Sequence, residues 1–182
     1  MQKKYELMLD TQAQGSCVLH RIRALRDFGD VKAGDLGGFV ESEANLSHEG
    51  DCWISEEARV FENAQVSDNG WISGNAWVYG KAQIYGNADV RGDAQVFGNA
   101  KVCGDAMISS PEDICFFGGF GSAYRQTTAY KDARGGILVS CGCFFGSLED
   151  FRRAVLDTHA EGSRHRRTYR AIIDVIRSRF CE

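Results

Sequence analysis

Gly74-Asn75-Ala76-Trp77-Val78-Tyr79-Gly80-Lys81-Ala82-Gln83-Ile84-Tyr85-Gly86-Asn87-Ala88-Asp89-Val90 repeats one six-residue unit, and that unit decides the fold. It reads small, any, aliphatic, any, then most often Gly with Asn or Asp. Working outward from this stretch, Cys52, Ala58, Ala64, Gly70, Ala76, Ala82, Ala88, Ala94, Ala100 and Ala106 hold the small position. Two residues after each come Ile54, Val60, Val66, Ile72, Val78, Ile84, Val90, Val96, Val102 and Ile108, giving ten consecutive hexads. Residues two apart in a strand share a face, so every small/aliphatic pair points to one side. The Gly-Asn or Gly-Asp step accepts positive φ and turns a corner after a very short strand. Cornered hexads close into coils, and coils stack into a β-solenoid.

The repeat extends further back. Gly38 with Val40 and Ala44 with Leu46 fit the same pair, after which Ile54 arrives eight residues past Leu46 instead of six. A two-residue bulge within His48-Glu49-Gly50-Asp51 absorbs the difference. The reading is twelve hexads in four coils, a prism roughly 19 Å tall at about 4.8 Å per stacked strand.

This pattern resembles the hexapeptide-repeat, left-handed β-helix family, in which three hexads make one triangular coil. The resemblance supplies the left hand, since ordinary crossover rules favour the right one. The run from Leu19 to Glu41, with Arg21-Ile22-Arg23-Ala24-Leu25-Arg26-Asp27-Phe28-Gly29-Asp30, resembles the lead-in segment of hexapeptide-repeat proteins from phages and prophages. The tail Gly142-Cys143-Phe144-Phe145-Gly146-Ser147-Leu148-Glu149-Asp150-Phe151, preceded by Gly119-Phe120-Gly121-Ser122, is similar to a small domain of phage accessory proteins. The resemblance implies a phage or prophage origin and transfers no catalytic residue.

Three segments follow. Residues 1–37 read as an N-terminal β cap, 38–110 as the hexapeptide-repeat β-helix, and 111–182 as a C-terminal α+β domain. In the last, Ile114-Cys115-Phe116-Phe117, Tyr124 to Tyr130 and Gly136 to Phe144 read as strands. Ser147 with Asp150 starts a helix running to about His159. A second runs from about Arg164 to Phe180, with Tyr169, Ile172, Ile173 and Ile176 on one face. The fold class is mainly β.

Composition limits the function. The 182 residues carry one proline, 21 glycines and 43% hydrophobic residues, which suits a glycine-cornered solenoid and argues against disorder. No stretch approaches the roughly 18–20 apolar residues of a membrane span, and Met-Gln-Lys-Lys-Tyr-Glu is not a secretion signal, so a cytoplasmic location in a bacterial host is expected. Seven scattered cysteines read as reduced thiols. Cys52 takes an inward position, and Cys141-Gly142-Cys143 reads as two thiols packed on one strand face, not a metal or redox pair. The net charge of −4 is uneven: residues 35–109 hold 12 acids against 4 bases, between two mildly basic ends. Acidic walls keep a solenoid soluble and also suit a basic partner.

For catalysis, the enzyme reading is an acyltransferase using acetyl-coenzyme A, as many hexapeptide-repeat proteins do, with a histidine as general base. Of His20, His48, His159 and His165, only His48 falls on the prism, in its bulge. The solvated-loop reading of His48 is preferred, because no second carboxylate is placed to orient it. Gly118-Gly119-Phe120-Gly121-Ser122 lacks the Lys-Ser/Thr of a phosphate loop and reads as a hairpin or strand start. Arg164, Arg166 and Arg167 crowd a helix N-terminus, where cations oppose the dipole; a solvated or contact face is preferred over nucleic-acid binding. Residues three hexads apart stack, so Phe61, Tyr79 and Phe97 form one outward column, with Trp77 beside it and Trp53 and Trp71 on another face. Aromatics at this density mark an interface, either with another subunit or with the C-terminal helices. The chain is thus expected to be a non-enzymatic, homo-oligomeric binding scaffold, dimer or trimer, that needs no cofactor. It would bind and inhibit a host protein complex, for example CRISPR machinery. An acyltransferase and a structural virion or assembly component are the alternatives.

Overall fold

The computed structural model describes residues 3–121 and 124–180. Ser122, part of the glycine-rich run above, lies outside them. β1 (Tyr5–Gln14) and β2 (Cys17–Ala24) form an antiparallel hairpin, and β3 (Leu36–Val40) pairs with β2. Ten two-residue strands follow at six-residue intervals: β4 (Trp53–Ile54), β5 (Arg59–Val60), β6 (Gln65–Val66), β7 (Trp71–Ile72), β8 (Trp77–Val78), β9 (Gln83–Ile84), β10 (Asp89–Val90), β11 (Gln95–Val96), β12 (Lys101–Val102) and β13 (Met107–Ile108). Every third one stacks in parallel register. One face runs β3-β5-β8-β11, the second β4-β7-β10-β13, and the third β6-β9-β12. The small and aliphatic positions point inward as expected, and Ala58, Val60, Ala76, Val78, Ala94 and Val96 have no exposed surface. The chain is a parallel β-solenoid of about four coils.

The bulge falls where the spacing placed it. Val40 stacks on Val60 and Leu46 on Val66, twenty residues on, whereas Ile54 stacks on Ile72, eighteen on. Gly50 in the bulge holds φ +66°, and a Cβ there would sit 2.3 Å from the Asp68 carbonyl oxygen, so conformation and space both call for glycine. Later corners use glycine, but Glu56, Glu62 and Asp68 take positive φ themselves. Each of these three carboxylates accepts the backbone N–H of the glycine one coil later, Gly74, Gly80 and Gly86 respectively. That bond offsets part of the cost of left-handed backbone at a side-chain-bearing residue.

A stacked coil leaves unpaired backbone at both ends. In the interior, Lys81, Tyr85 and Arg91 donate N–H to Gly98, Val102 and Ile108 of the next coil. Their counterparts in the last coil have no further coil to meet, and side chains take over. Asn99 N–H goes to Gln126 Oε1 (3.0 Å), Cys103 N–H to the Tyr130 hydroxyl (3.0 Å), and Ser109 N–H to Asp113 Oδ2 (2.9 Å). At the opposite end the orphans are carbonyls. Leu46 O accepts from the Tyr5 hydroxyl (2.8 Å) and Cys52 O from Lys4 Nζ (2.9 Å).

The C-terminal region packs beneath the last coil. β14 (Ile114–Phe120), β15 (Arg125–Lys131), β16 (Ile137–Cys141) and β17 (Phe144–Ser147) form an antiparallel sheet in that order. Ile114 and Tyr130 on one face complete the solenoid core, with Phe116 and Leu138 packed against it, while Ala129 and Val139 on the other meet the helices. α1 (Leu148–Thr158) starts at Ser147, whose hydroxyl accepts the Asp150 N–H, and buries Leu148, Phe151 and Val155. α2 (Arg164–Phe180) buries Tyr169, Ile172, Ile173 and Ile176. One expected strand is split. Gly136–Phe144 is broken by a tight turn at Gly142 and Cys143, because Gly142 at φ +64° reverses the chain. Cys141 therefore ends a strand and Cys143 sits in the hairpin turn, so the two do not share a strand face. Among the described residues no helix is long and apolar enough to cross a membrane.

Candidate binding surface

Residues one position past the inward valines of the first face point outward and stack. The Phe61 and Tyr79 rings lie 5.2 Å apart at 7°, and Tyr79 and Phe97 lie 5.5 Å apart at 18°. The column then runs past the prism to Phe116 of β14, 4.5 Å from Phe97. Trp77 meets Phe61 edge-on at 6.2 Å, with the Arg59 guanidinium over its indole. Gln12 of the hairpin holds that guanidinium at 2.9 Å.

The cover over this column differs from the expected one. Part of it comes from the chain's own N-terminal hairpin, and the C-terminal contact is a strand, not the helices. A register shift between Leu7 and Thr11 bends the hairpin, and its tip leans over the wall. Phe61 is thereby buried with Leu19 and Phe39. A groove of about 300 Å³ remains between the tip (Gln14 to Cys17) and Phe61, Glu62, Trp77 and Tyr79. Beyond the tip the rings open to solvent: Tyr79 is half-buried and Phe97 is 37% exposed. Desolvation, with Glu41 beside it, pushes the Cys17 thiol up, so the sulfur at the groove is a poor nucleophile.

Trp53 and Trp71 stand in register as the repeat demands. Trp53, however, is only 2% exposed, because Phe28 and Tyr5 of the cap close over it edge-on at 5.3 and 6.5 Å. Trp53 is therefore core, a correction to its outward assignment; Trp71 is half-buried and packs against the same core.

His48 does not sit in a solvated loop. Its ring stacks on Tyr5 at 4.4 Å, its Nδ1 accepts the Lys4 N–H at 3.2 Å, and its Nε2 lies 3.6 Å from a Glu43 carboxylate oxygen. A neutral imidazole whose Nδ1 accepts carries its proton on Nε2, which leaves no lone pair for a general base. The carboxylate that sequence reading did not find is Glu43, held low by the Lys3 ammonium.

The basic start of α2 turns back on its own loop. Arg166 donates to the His159 carbonyl (3.3 Å) and Arg167 to the Gly162 carbonyl (2.9 Å), while Arg164 is exposed. These bonds answer the dipole problem with local carbonyls, away from the acidic prism. Sequence reading missed Lys4 and Asn45. Both are buried polar residues, and Asn45 Nδ2 donates to the Glu62 and Ala64 carbonyls of the next coil. The repeat gave no signal for Asn45, which falls between the small Ala44 and the aliphatic Leu46, where later hexads carry Arg59, Gln65 or Trp71.

No family model matches the chain. Forty residues, 22% of the chain, are 45% identical to a segment of a protein of Escherichia coli (strain K12) named uncharacterized acetyltransferase YdcK. The match takes in 12% of that protein, so this chain spans a small part of its length.

Proposed function

We propose that the chain is a non-catalytic binding scaffold whose contact face is the aromatic wall between hairpin tip and C-terminal sheet. The observation that carries this is the open half of the column: stacked rings continue past the hairpin from Tyr79 to a part-exposed Phe97. Rigid aromatics bring large contact area at low entropic cost, as interface anchors do. The resemblance of the lead-in and tail to phage proteins supports a host protein complex as partner, with inhibition of a defence complex as the outcome. A homo-oligomer would present several walls at once.

An acyltransferase is the second reading, and the short match to YdcK favours it. The covered imidazole of His48 counts against that residue as its base. The experiment is capture of partners from host lysate on immobilised full chain, alongside an acetyl-coenzyme A turnover assay. The scaffold reading expects a discrete partner held by wild type and by His48→Ala, released in Phe97→Asp, with no acetyl transfer. Turnover that His48→Ala abolishes would replace it with the enzyme.

A further inference from the structure

We propose that the cleft between the last coil and the C-terminal sheet binds a nucleoside phosphate. This goes beyond the wall, and no part of it uses the aromatic column. The cleft is a cavity of about 300 Å³ lined by Asn99 and Lys101 of the last coil and by Tyr124, Arg125, Gln126 and Ser140 of the sheet region. Its size is that of a small-ligand site.

Its chemistry is one-sided. Lys101 and Arg125 have no carboxylate within 4 Å among the described residues, unlike Lys131 and Arg134 of the same sheet region. Ser140 lines the same cleft, and its side chain makes no hydrogen bond among the described residues. Asn75 and Asn87 donate their amides to Asp93 and Asp105 one coil on. Asn99 in the last coil has no coil beyond it, and its side-chain amide likewise stays free among the described residues. The cleft thus gathers an ammonium, a guanidinium, an amide and a hydroxyl, with no lining carboxylate.

Gly142 shapes the site, since a Cβ there would come within 3.2 Å of the Arg125 side chain. Glycine lets the guanidinium lie along the turn, placed for paired contacts to a phosphate. Tyr124 is 77% exposed at the lip of the cleft, and Arg125 also borders a separate hollow lined by Phe120 and His159. Donors beside exposed rings suit a phosphate joined to a planar base.

Isothermal titration of the full chain with ADP, GDP, CDP and UDP, with inorganic phosphate and the matching nucleoside as controls, tests this. The expected result is binding of at least one nucleotide that weakens about tenfold or more in Lys101→Ala and in Arg125→Ala. Both side chains are exposed, so unchanged melting curves will show that each variant is folded. The nucleoside and inorganic phosphate should each bind at least about tenfold more weakly than the nucleotide. No binding by any nucleotide, equal affinity in Arg125→Ala, or phosphate binding as tightly as nucleotide would each overturn the proposal.

Discussion

Lys4 is a lysine without exposed surface, and it shows how single residues close this fold. Its ammonium meets the carbonyls of Cys52 (2.9 Å) and Gly50 (3.3 Å) in the bulge and sits over the Phe28 ring. Replacing it, as in Lys4→Met, keeps the volume but orphans those carbonyls, and should cost about 2 kcal/mol in urea unfolding at neutral pH. Burial pushes the Lys4 pKa below its ordinary 10.5, against an opposing pull from Cys52. The unfolded chain then holds a proton that the folded chain releases as pH climbs toward 10.5. Lys4's contribution to stability therefore rises with pH across that alkaline window. The buried Tyr5 phenol is pushed up and works the other way, so the quantity to read is the difference between wild type and Lys4→Met. That difference should grow with pH. A difference that shrinks would mean the ammonium is not desolvated. Nothing in Met-Gln-Lys-Lys-Tyr announces this role, because the carbonyls it satisfies lie some 45 residues away.

Among the elements, the rungs and the hairpin strands flanking Gly15 were legible, but the lean of the hairpin over the wall was not, for one reason. A rung is specified by its own six residues, since small and aliphatic positions two apart must share the inward face. The helices were legible likewise, through the Ser147 cap and the spacing of Ile172, Ile173 and Ile176. Where the β1–β2 tip leans depends on a register shift and on contacts such as Gln12 to Arg59, which no local pattern encodes. Corners give a sharp test. Gly74 holds φ +68°, and a Cβ there would lie 2.7 Å from the Gly92 nitrogen, whereas Gly15 at φ +59° has open space around it. Gly15→Ala should cost about 1 kcal/mol of backbone strain. Gly74→Ala adds a clash against the next coil's backbone and should cost about 3 kcal/mol. Urea midpoints of the two variants compare them; equal losses would contradict stacked corners.

For the whole molecule, the stack is quasi-one-dimensional and its ends are closed by different chemistry: donors Lys4 and Tyr5 at the start, acceptors Gln126, Tyr130 and Asp113 at the finish. Whole coils are therefore removable. Deleting residues 73–90 joins Ile72 to Arg91 in register and should leave a cooperative melt by circular dichroism. Deleting only residues 73–77, a smaller cut, breaks the two-residue alternation and should abolish it. The aromatic column was legible, since Phe61, Tyr79 and Phe97 do stack, but its cover was not, and Phe61 and Trp53 proved to be covered by the cap. What remains open is the Tyr79–Phe97 end. The decisive measurement is the affinity of the captured partner for wild type, His48→Ala and Phe97→Asp. The account predicts that His48→Ala stays within about twofold of wild type and that Phe97→Asp weakens binding by about thirtyfold or more, as loss of an anchor ring does. Binding that survives Phe97→Asp and fails in His48→Ala would contradict it.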